Sequence, residues 1–277
     1  MTNHNLFNKI AVINDMTGFG RCALSVEMPI ISHMGIQCCP VPTSILSNHS
    51  AFSSFYFDDY TDNMSSYISE WEKLSLKFEG ILTGFYGSTR QIDIVCDFIN
   101  KFSKPDTVVI VDPIMGDNGQ IYKTYTEEMC DKMRKLVGMA DIITPNFTEL
   151  CILAKRDYDE TLSYTEIEDM CKNLKDSRLK SDCRIVVTGI KRGSYIVNMV
   201  YDNGKAGLVK KKTAGDNRCG TGDVFASVIA GKIVNGCKLT DAVRIAADFV
   251  SKCIKESDKI GIPKTDGVCF EKILNQL

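Results

Sequence analysis

Apolar, β-branched runs alternate with stretches of helical periodicity along most of the chain. This alternation is typical of βαβ units, in which a mainly parallel sheet is covered by helices on both faces. The runs predict strands at 9–14, 36–41, 80–83, 107–112, 141–144 and 184–188. The periodic stretches predict helices at 22–34, 64–76, 88–102, 126–137, 146–154 and 165–176.

The pattern changes after residue 188. Two short runs, 194–201 and 206–211, flank Asp202-Asn203-Gly204, and an Asn-Gly pair supplies the positive φ angles of a tight hairpin. An antiparallel edge is therefore expected, followed by helices at 222–235 and 240–257. Because no repeat, low-complexity segment or linker interrupts the chain, we expect a single domain over residues 1–277.

Composition places the chain among ordinary globular proteins. It has 277 residues, 44% of them hydrophobic and 25% charged, and a net charge of −2. These values exclude a disordered or fibrous chain and give no electrostatic reason to expect nucleic acid or an anionic membrane as a partner. No apolar run approaches the roughly 20 residues that span a bilayer, and the first residues lack a signal-peptide core. We therefore expect a cytoplasmic protein.

Twelve cysteines are scattered along the chain without a Cys-x-x-Cys pair, and there are three histidines. Such a set offers little to a zinc site and does not resemble a secreted disulfide framework. The cysteines are expected to be reduced and to pack as small hydrophobic residues.

Open parallel sheets bind ligands at the carboxyl ends of their strands, so the residues after each run are the first candidates for chemistry. Gly220-Thr221-Gly222-Asp223 begins an apolar helix. Its free backbone N–H groups could hold a phosphoryl group, and Asp223 could accept a proton from an attacking hydroxyl. A plain glycine loop with an acidic first helical turn explains the same residues.

A second candidate is Thr144-Pro145-Asn146-Phe147-Thr148-Glu149, after the strand at 141–144. Asn146 and Glu149 have the spacing of a capping box, and alone they favour a helix cap. The same spacing sets an amide beside a carboxylate, which could organise hydrated Mg²⁺ on a nucleotide.

Asp112 ends an apolar strand and precedes a glycine-containing segment, 115–122. This segment is either a lid that closes over a substrate or a plain surface loop. The first βα connection, 14–21, contains Gly-x-Gly, but it lacks the third glycine of a dinucleotide fold, and no Walker A pattern occurs in the chain.

These motifs, in their order and spacing, resemble the ribokinase-like superfamily, and within it the pyridoxal kinases and the related hydroxymethylpyrimidine kinases. The resemblance runs from about residue 10 to about residue 251. The segments that carry it are GFGR at 18–21, TSILSNHSAF at 43–52, GFYGS at 84–88, VDPIMGDNGQIY at 111–122, TPNFTEL at 144–150, VVTG at 186–189 and GTGDVFASVIAG at 220–231.

The resemblance implies a three-layer α/β/α fold and an ATP- and Mg²⁺-dependent kinase, with a monovalent-cation requirement left open. It implies that Asp223 is the catalytic base and that Gly220, Thr221 and Gly222 form an anion hole. Asp112 and Glu149 would organise Mg²⁺ through water, with Asn146 and Thr188 near the ATP phosphates. The residues implied around the substrate ring are Asp15, Thr43, His49 and Tyr86. Without the resemblance, His49 is a packed loop histidine and Tyr86 a core residue.

The expected reaction is phosphorylation of the hydroxymethyl group of pyridoxal, pyridoxamine or pyridoxine by a homodimeric enzyme. Many pyridoxal kinases carry Ser where this chain has Asp15, whereas hydroxymethylpyrimidine kinases place Asp there. The pyrimidine kinase of thiamine synthesis is therefore the main alternative. A catalytically silent vitamin-binding protein is a more distant one, which the intact 220–223 motif disfavours.

Overall fold

The elements of the computed structural model, which describes residues 3–216 and 218–277, follow the predicted alternation. The strands are β1 (Lys9–Phe19), β2 (Gln37–Asn48), β3 (Phe57–Asp59), β4 (Gly80–Thr83), β5 (Val108–Val111), β6 (Gly116–Asp117), β7 (Gln120–Ile121), β8 (Ile142–Ile143), β9 (Arg184–Arg192), β10 (Tyr195–Asp202) and β11 (Lys205–Lys212). The helices are α1 (Leu24–His33), α2 (Thr61–Lys73), α3 (Thr89–Phe102), α4 (Glu127–Val137), α5 (Phe147–Ala154), α6 (Tyr164–Arg178), α7 (Thr221–Val234) and α8 (Leu239–Ile260).

The main sheet has nine strands in the order β11-β10-β9-β8-β5-β4-β1-β2-β3. The six strands from β9 to β2 are parallel, whereas β10 and β11 at one edge and β3 at the other are antiparallel. Asn203 and Gly204 take φ angles of 49° and 75° between β10 and β11, as a tight hairpin requires. The predicted mainly parallel sheet with an antiparallel edge hairpin is confirmed.

Helices cover both faces of the sheet, so the molecule has three layers. Ile10 and Val12 of β1 pack in the core beneath α1, α7 and α8, whereas Ala11 and Ile13 pack in the core on the opposite face. Strands that are buried on both faces need apolar side chains at every position. This requirement explains the continuous apolar runs in the sequence.

The first βα connection differs from the prediction. Residues 15–19, which follow the predicted strand at 9–14, continue β1 to Phe19, because β2 runs beside them to Asn48. The pairing changes register between Asn14 and Met16, which is the mark of a bulge. The bulge keeps this polar segment in the sheet while changing the direction of its side chains.

The sequence pattern also missed three very short strands. The exposed β3 pairs with β2, and β6 pairs with β7 across Asn118-Gly119. The segment 115–122 is therefore a small antiparallel hairpin, called the lid hairpin below. Within the described part of the chain, none of the helices combines the length and the apolar character that crossing a bilayer requires.

Candidate active site

A cavity of about 870 Å³ opens at the carboxyl ends of the parallel strands, where ligands bind in open α/β sheets. Its walls come from the ends of β1, β5, β8 and β9, from the lid hairpin and from the N-terminus of α7. Nine of the twelve predicted site residues line it: Asp15, Asp112, Asn146, Glu149, Thr188, Gly220, Thr221, Gly222 and Asp223. The motifs that are far apart in sequence therefore share one cavity.

The N-terminus of α7 faces this cavity. Gly220, the residue before the helix, has a φ of 79°, and a Cβ at this position would collide with the carbonyl oxygen of Arg21. No described side chain caps the helix. N–H groups in the first turn of a helix lack intrahelical partners, and the helix dipole favours an anion there. Gly220, Thr221 and Gly222 thus form a turn suited to a phosphoryl group.

Asp223 lies in the first turn of α7, next to these backbone groups. Burial raises the pKa of its carboxyl group, while hydrogen bonding to the Ala23 N–H and to the Asn14 amide opposes that increase. A carboxylate that is partly desolvated and still ionisable is a stronger base than a solvated one. Its position and environment suit proton abstraction from a hydroxyl group.

Asp112 follows β5 and is 9% exposed. Thr144 Oγ1 donates a hydrogen bond to Asp112 Oδ1 at 2.9 Å. Burial raises the pKa of Asp112 to about 7, the Thr144 hydroxyl lowers it, and the charge of Asp223 raises it further. Burial and the neighbouring Asp223 charge therefore both oppose ionisation of Asp112.

Asn146 and Glu149 form the expected capping box at the start of α5. Glu149 N donates to Asn146 Oδ1 at 2.9 Å, and Asn146 N donates to Glu149 Oε2 at 2.8 Å. The other oxygen, Oε1, accepts from Met115 N at 3.1 Å. The capping interpretation is confirmed, and it leaves Glu149 3% exposed beside Asp112, whose charge adds to burial in raising the pKa of Glu149.

The donor set fits a hydrated divalent cation. Asp112 and Glu149 supply the hard oxygen atoms that Mg²⁺ prefers, and their mutual repulsion would be relieved by a cation. Among the described residues, no three acidic, histidine or cysteine side chains are grouped as a metal cage. Mg²⁺ commonly keeps several water ligands and binds through one or two carboxylates together with phosphates.

The lid hairpin is attached to this end of the site. Asn146 Nδ2 donates to Gly116 O at 2.8 Å, and Gly119 N donates to Thr148 Oγ1 at 2.9 Å. Lys191 of β9 reaches Asn118 Oδ1 at 3.0 Å. Thr188, also in β9, bridges to Asn146 and places its side chain on the cavity wall.

Asp15 lines the cavity. Thr17 Oγ1 donates a hydrogen bond to Asp15 Oδ2 at 2.6 Å within the extended β1. Burial raises the pKa of Asp15 to about 6, the Thr17 hydroxyl lowers it, and Asp223 raises it again.

Three predicted ring contacts lie outside the cavity wall. Thr43 is fully buried and donates to Phe85 O at 3.1 Å, and His49 Nε2 donates to Thr265 O at 2.6 Å. Tyr86 is fully buried in the hydrophobic core, where its OH lacks a described partner. Its neighbour Phe85 lines the cavity instead. For these three, contact with a substrate ring stays a prediction.

Sequence reasoning missed two polar residues of the cavity wall. Asn14, at the end of the first apolar run, accepts a hydrogen bond from Asp15 N and lowers the pKa of Asp223. Arg218 is 7% exposed and donates to Asp258 Oδ1 at 2.7 Å and to Ile262 O at 2.8 Å, which anchors the turn before α7. Their positions beside motif residues were a usable signal, but their partners are remote in sequence.

A three-layer α/β/α fold with a glycine turn, a helix N-terminus and an aspartate at one cavity defines a kinase of the ribokinase-like class. Residues 32–267 match the family model described as phosphomethylpyrimidine kinase. The chain therefore belongs to the phosphomethylpyrimidine kinase family. It is a kinase that phosphorylates an alcohol group.

The chain is similar to enzymes with two different substrates. It is 26% identical to a pyridoxal kinase of Dictyostelium discoideum over 215 residues, which cover 73% of this chain and 70% of the relative. It is 27% identical to a hydroxymethylpyrimidine/phosphomethylpyrimidine kinase of Aquifex aeolicus over 199 residues, 69% of this chain and 74% of the relative.

Among solved structures, a Bacteroides thetaiotaomicron protein provisionally named a phosphomethylpyrimidine kinase is 36% identical. Its rhombohedral form has a TM-score of 0.95 over 100% of this chain and 96% of that one. Its orthorhombic form, solved with pyridoxal, has a TM-score of 0.91 over 98% and 95%.

Substituting Glu149→Gln tests whether this residue is more than a cap. The substitution removes one of the two hydrogen bonds that the carboxylate accepts from backbone N–H groups. We therefore expect the free energy of unfolding to fall by about 1 kcal/mol and the melting temperature to fall with it. If Glu149 also helps to hold hydrated Mg²⁺, the Mg²⁺ concentration for half-maximal rate should rise several-fold.

The matched control is Glu166→Gln in the second capping box, where Glu166 Oε2 accepts from Ser163 N at 2.9 Å far from the cavity. It should lower the melting temperature and leave the Mg²⁺ titration unchanged. Superimposable Mg²⁺ titrations for both variants and the parent would show that Glu149 is a cap alone.

Proposed function

We propose that this kinase transfers the γ-phosphoryl group of ATP to the hydroxymethyl group of a B6 vitamer, giving its 5′-phosphate. The observation that carries the proposal is the position of Asp223, which faces the cavity from the first turn of the uncapped α7. A base beside an anion-binding turn is the arrangement that an alcohol needs to attack a phosphoryl group.

In this proposal the hydroxyl lies between Asp223 and the γ-phosphate. Asp223 accepts the hydroxyl proton as the alcohol oxygen bonds to the γ-phosphorus, and the bond from that phosphorus to the β-phosphate oxygen breaks to release ADP. The N–H groups of Gly220, Thr221 and Gly222 stabilise the phosphoryl oxygens. Most of the catalysis then comes from positioning and electrostatics.

Mg²⁺, held through water by Asp112 and Glu149, would neutralise phosphate charge when bound. Asn146 and Thr188, which share that wall, would lie near the phosphates. The wall behind them is apolar, with Ile196 from β10 and with Ala247, Val250 and Ile254 from α8. Such a surface suits the flat face of an adenine ring.

The pyrimidine kinase reaction is the second candidate, because relatives with either substrate have nearly the same identity. The B6 vitamer is favoured by the Bacteroides relative, which was solved with pyridoxal. Asp15 favours the pyrimidine, because hydroxymethylpyrimidine kinases place an aspartate at this position. A silent vitamin-binding protein would keep the fold without consuming ATP, and the intact Asp223 disfavours it.

The proposal includes the domain organisation, the cellular location and the oligomeric state of the protein. One ribokinase-like domain spans residues 1–277, in a reducing cytoplasm that suits its twelve free cysteines. We also propose a homodimer, because exposed apolar side chains cluster at the β2–β3 edge of the sheet and single chains rarely expose such patches. They are Met16, Phe19, Ile45, Phe55, Tyr56 and Phe57.

Substituting Asp223→Asn tests the chemistry. Losing a general base should lower kcat by about 10²- to 10⁴-fold with little change in ATP binding. The parent's kcat/KM should fall as the pH decreases and Asp223 is protonated. Because the pKa of Asp223 is raised, this fall should begin at a higher pH than it would with an ordinary aspartate. The residual rate of the variant should lack this acid limb. A variant within a few-fold of the parent would contradict the assignment.

Substituting Asp15→Ser tests the choice of substrate. A partly buried carboxylate such as that of Asp15 is costly to desolvate unless a ligand offers it a hydrogen-bond donor, such as a ring hydroxyl, a protonated ring nitrogen or an amine. The ratio of kcat/KM between pyridoxamine and the pyrimidine alcohol should change by about tenfold or more, equivalent to about 1.4 kcal/mol. An equal loss for all substrates would remove Asp15 as a specificity residue.

The dimer is tested by light scattering during size-exclusion chromatography. The parent should have twice the mass of the 30.8 kDa chain, and Ile45→Asp should reduce it to the mass of one chain. Leu74→Asp, at an exposed apolar residue that follows α2, is the control and should stay dimeric. A monomeric parent, or a dimer that survives Ile45→Asp, would count against this edge.

A further inference from the structure

Glu27 is a buried acid that the proposed reaction does not use. It lies in the first turn of α1, is 2% exposed and does not line the cavity. Its Oε2 accepts a hydrogen bond from Asn14 Nδ2 at 3.1 Å. A carboxyl group at such a depth is expensive to desolvate, so its only described polar contact is informative.

The Asn14 amide connects Glu27 to the reacting end of the cavity. Its Oδ1 accepts from Asp15 N and from Phe85 N, both at 2.9 Å, and both of these residues line the cavity. Its Nδ2 group donates to Glu27 Oε2, and Asn14 lines the same cavity as Asp223, whose pKa the amide lowers. The reverse orientation of the amide would place its oxygen against the Glu27 carboxyl group and its NH₂ against two N–H donors.

The packing around Asn14 leaves this amide little freedom. Asn14 is 1% exposed, and a Cβ on Gly84 would collide with its side chain. Three hydrogen bonds set the orientation of the amide, two accepted from Asp15 N and Phe85 N and one donated to Glu27, which supplies the acceptor for the NH₂ group.

We propose that Glu27 is a positioning residue for phosphoryl transfer, which acts through the Asn14 amide on Asp223. This inference rests on the proposed function of Asp223 as the base. Without an acceptor at Glu27, the amide would shift, and Asp223 would lose the influence of Asn14 that lowers its pKa.

Glu27 suits this role as a neutral acid. Burial raises its pKa well above the ordinary value, and the charge of Asp223 raises it further, against the hydrogen bond from Asn14. The titratable groups that face it are Asp223 from α7, Asp15 from β1, Asp112 after β5 and the Cys38 thiol on β2. A neutral Glu27 holds the amide without adding charge beside the phosphates.

The test compares Glu27→Ala with Glu27→Gln, which keeps a neutral oxygen acceptor for Asn14 Nδ2. Glu27→Ala should lower kcat by about tenfold to 10²-fold, the range for a misplaced catalytic group, with the KM for ATP changed less than threefold. The fall of kcat/KM at acid pH should begin about one pH unit higher, as expected when a carboxylate loses the stabilising influence of one neighbouring amide. Glu27→Gln should restore both values.

A purely structural role would lower the melting temperature without moving the acid limb. If Glu27→Ala fails to fold, Glu27→Asp, whose carboxyl is one methylene shorter and cannot reach Asn14 in the same way, should show the same losses. The proposal would be overturned if the acid side of the kcat/KM pH profile were unchanged in Glu27→Ala or Glu27→Asp. It would also be overturned if Glu27→Gln were as impaired as Glu27→Ala.

Measuring Asp223→Asn in the same assays distinguishes a failure of the Asp223 base assignment from a failure of the role proposed for Glu27. If Asp223→Asn retains activity near the parent's, the base assignment fails and the role of Glu27 falls with it. If Asp223→Asn is inactive while Glu27→Ala behaves like the parent, the base assignment stands and only the role of Glu27 is overturned.

Discussion

The concentration of carboxyl groups at one end of the sheet is the constraint on which the rest of this site depends. Asp15, Asp112, Glu149 and Asp223 line one cavity, and Glu27 lies directly behind it. Carboxylates so close and so little hydrated repel one another. The fold compensates with oriented donors: the N-terminus of α7, the backbone N–H groups that reach Glu149, and the Asn14 amide.

This charge has a thermodynamic consequence. In the folded protein the pKa of Asp15 is about 6 and that of Asp112 about 7, both above the ordinary value of 3.8. Groups with a raised folded-state pKa contribute stability that is fully present below pH 4 and is lost as the pH rises to about 7. Near neutral pH these two groups therefore lower the stability of the folded protein. A cation, or a hydrogen-bond donor from a ligand, offsets that loss of stability when it binds. The site is built for occupancy rather than for stability.

The sequence predicts much of the fold because its signals are local. Apolar runs such as 80–83 are buried on both faces, and Asn203-Gly204 requires a tight turn wherever it occurs. The continuation of β1 to Phe19 was not predictable, since it depends on β2, which lies beside it. The same limit applies to the site: Asp223 and Glu149 belong to recognisable motifs, whereas Asn14 acquires its role from Gly84, Phe85 and Glu27, which only the tertiary structure brings together. Tyr86 belongs to the GFYGS segment, yet its ring packs into the hydrophobic core, whereas its neighbour Phe85 lines the cavity.

The central claim, an ATP-dependent kinase for a B6 vitamer, is tested most directly by steady-state phosphorylation with purified protein, ATP and Mg²⁺. The panel is pyridoxal, pyridoxamine, pyridoxine, the aminopyrimidine alcohol of thiamine synthesis and ribose, with product identified by mass. The account predicts that one of the three vitamers has the highest kcat/KM, at least about tenfold above the pyrimidine alcohol, with ribose near background. A higher value for the pyrimidine alcohol would contradict the choice of substrate. Substrate binding without ATP consumption would contradict the claim of catalysis itself.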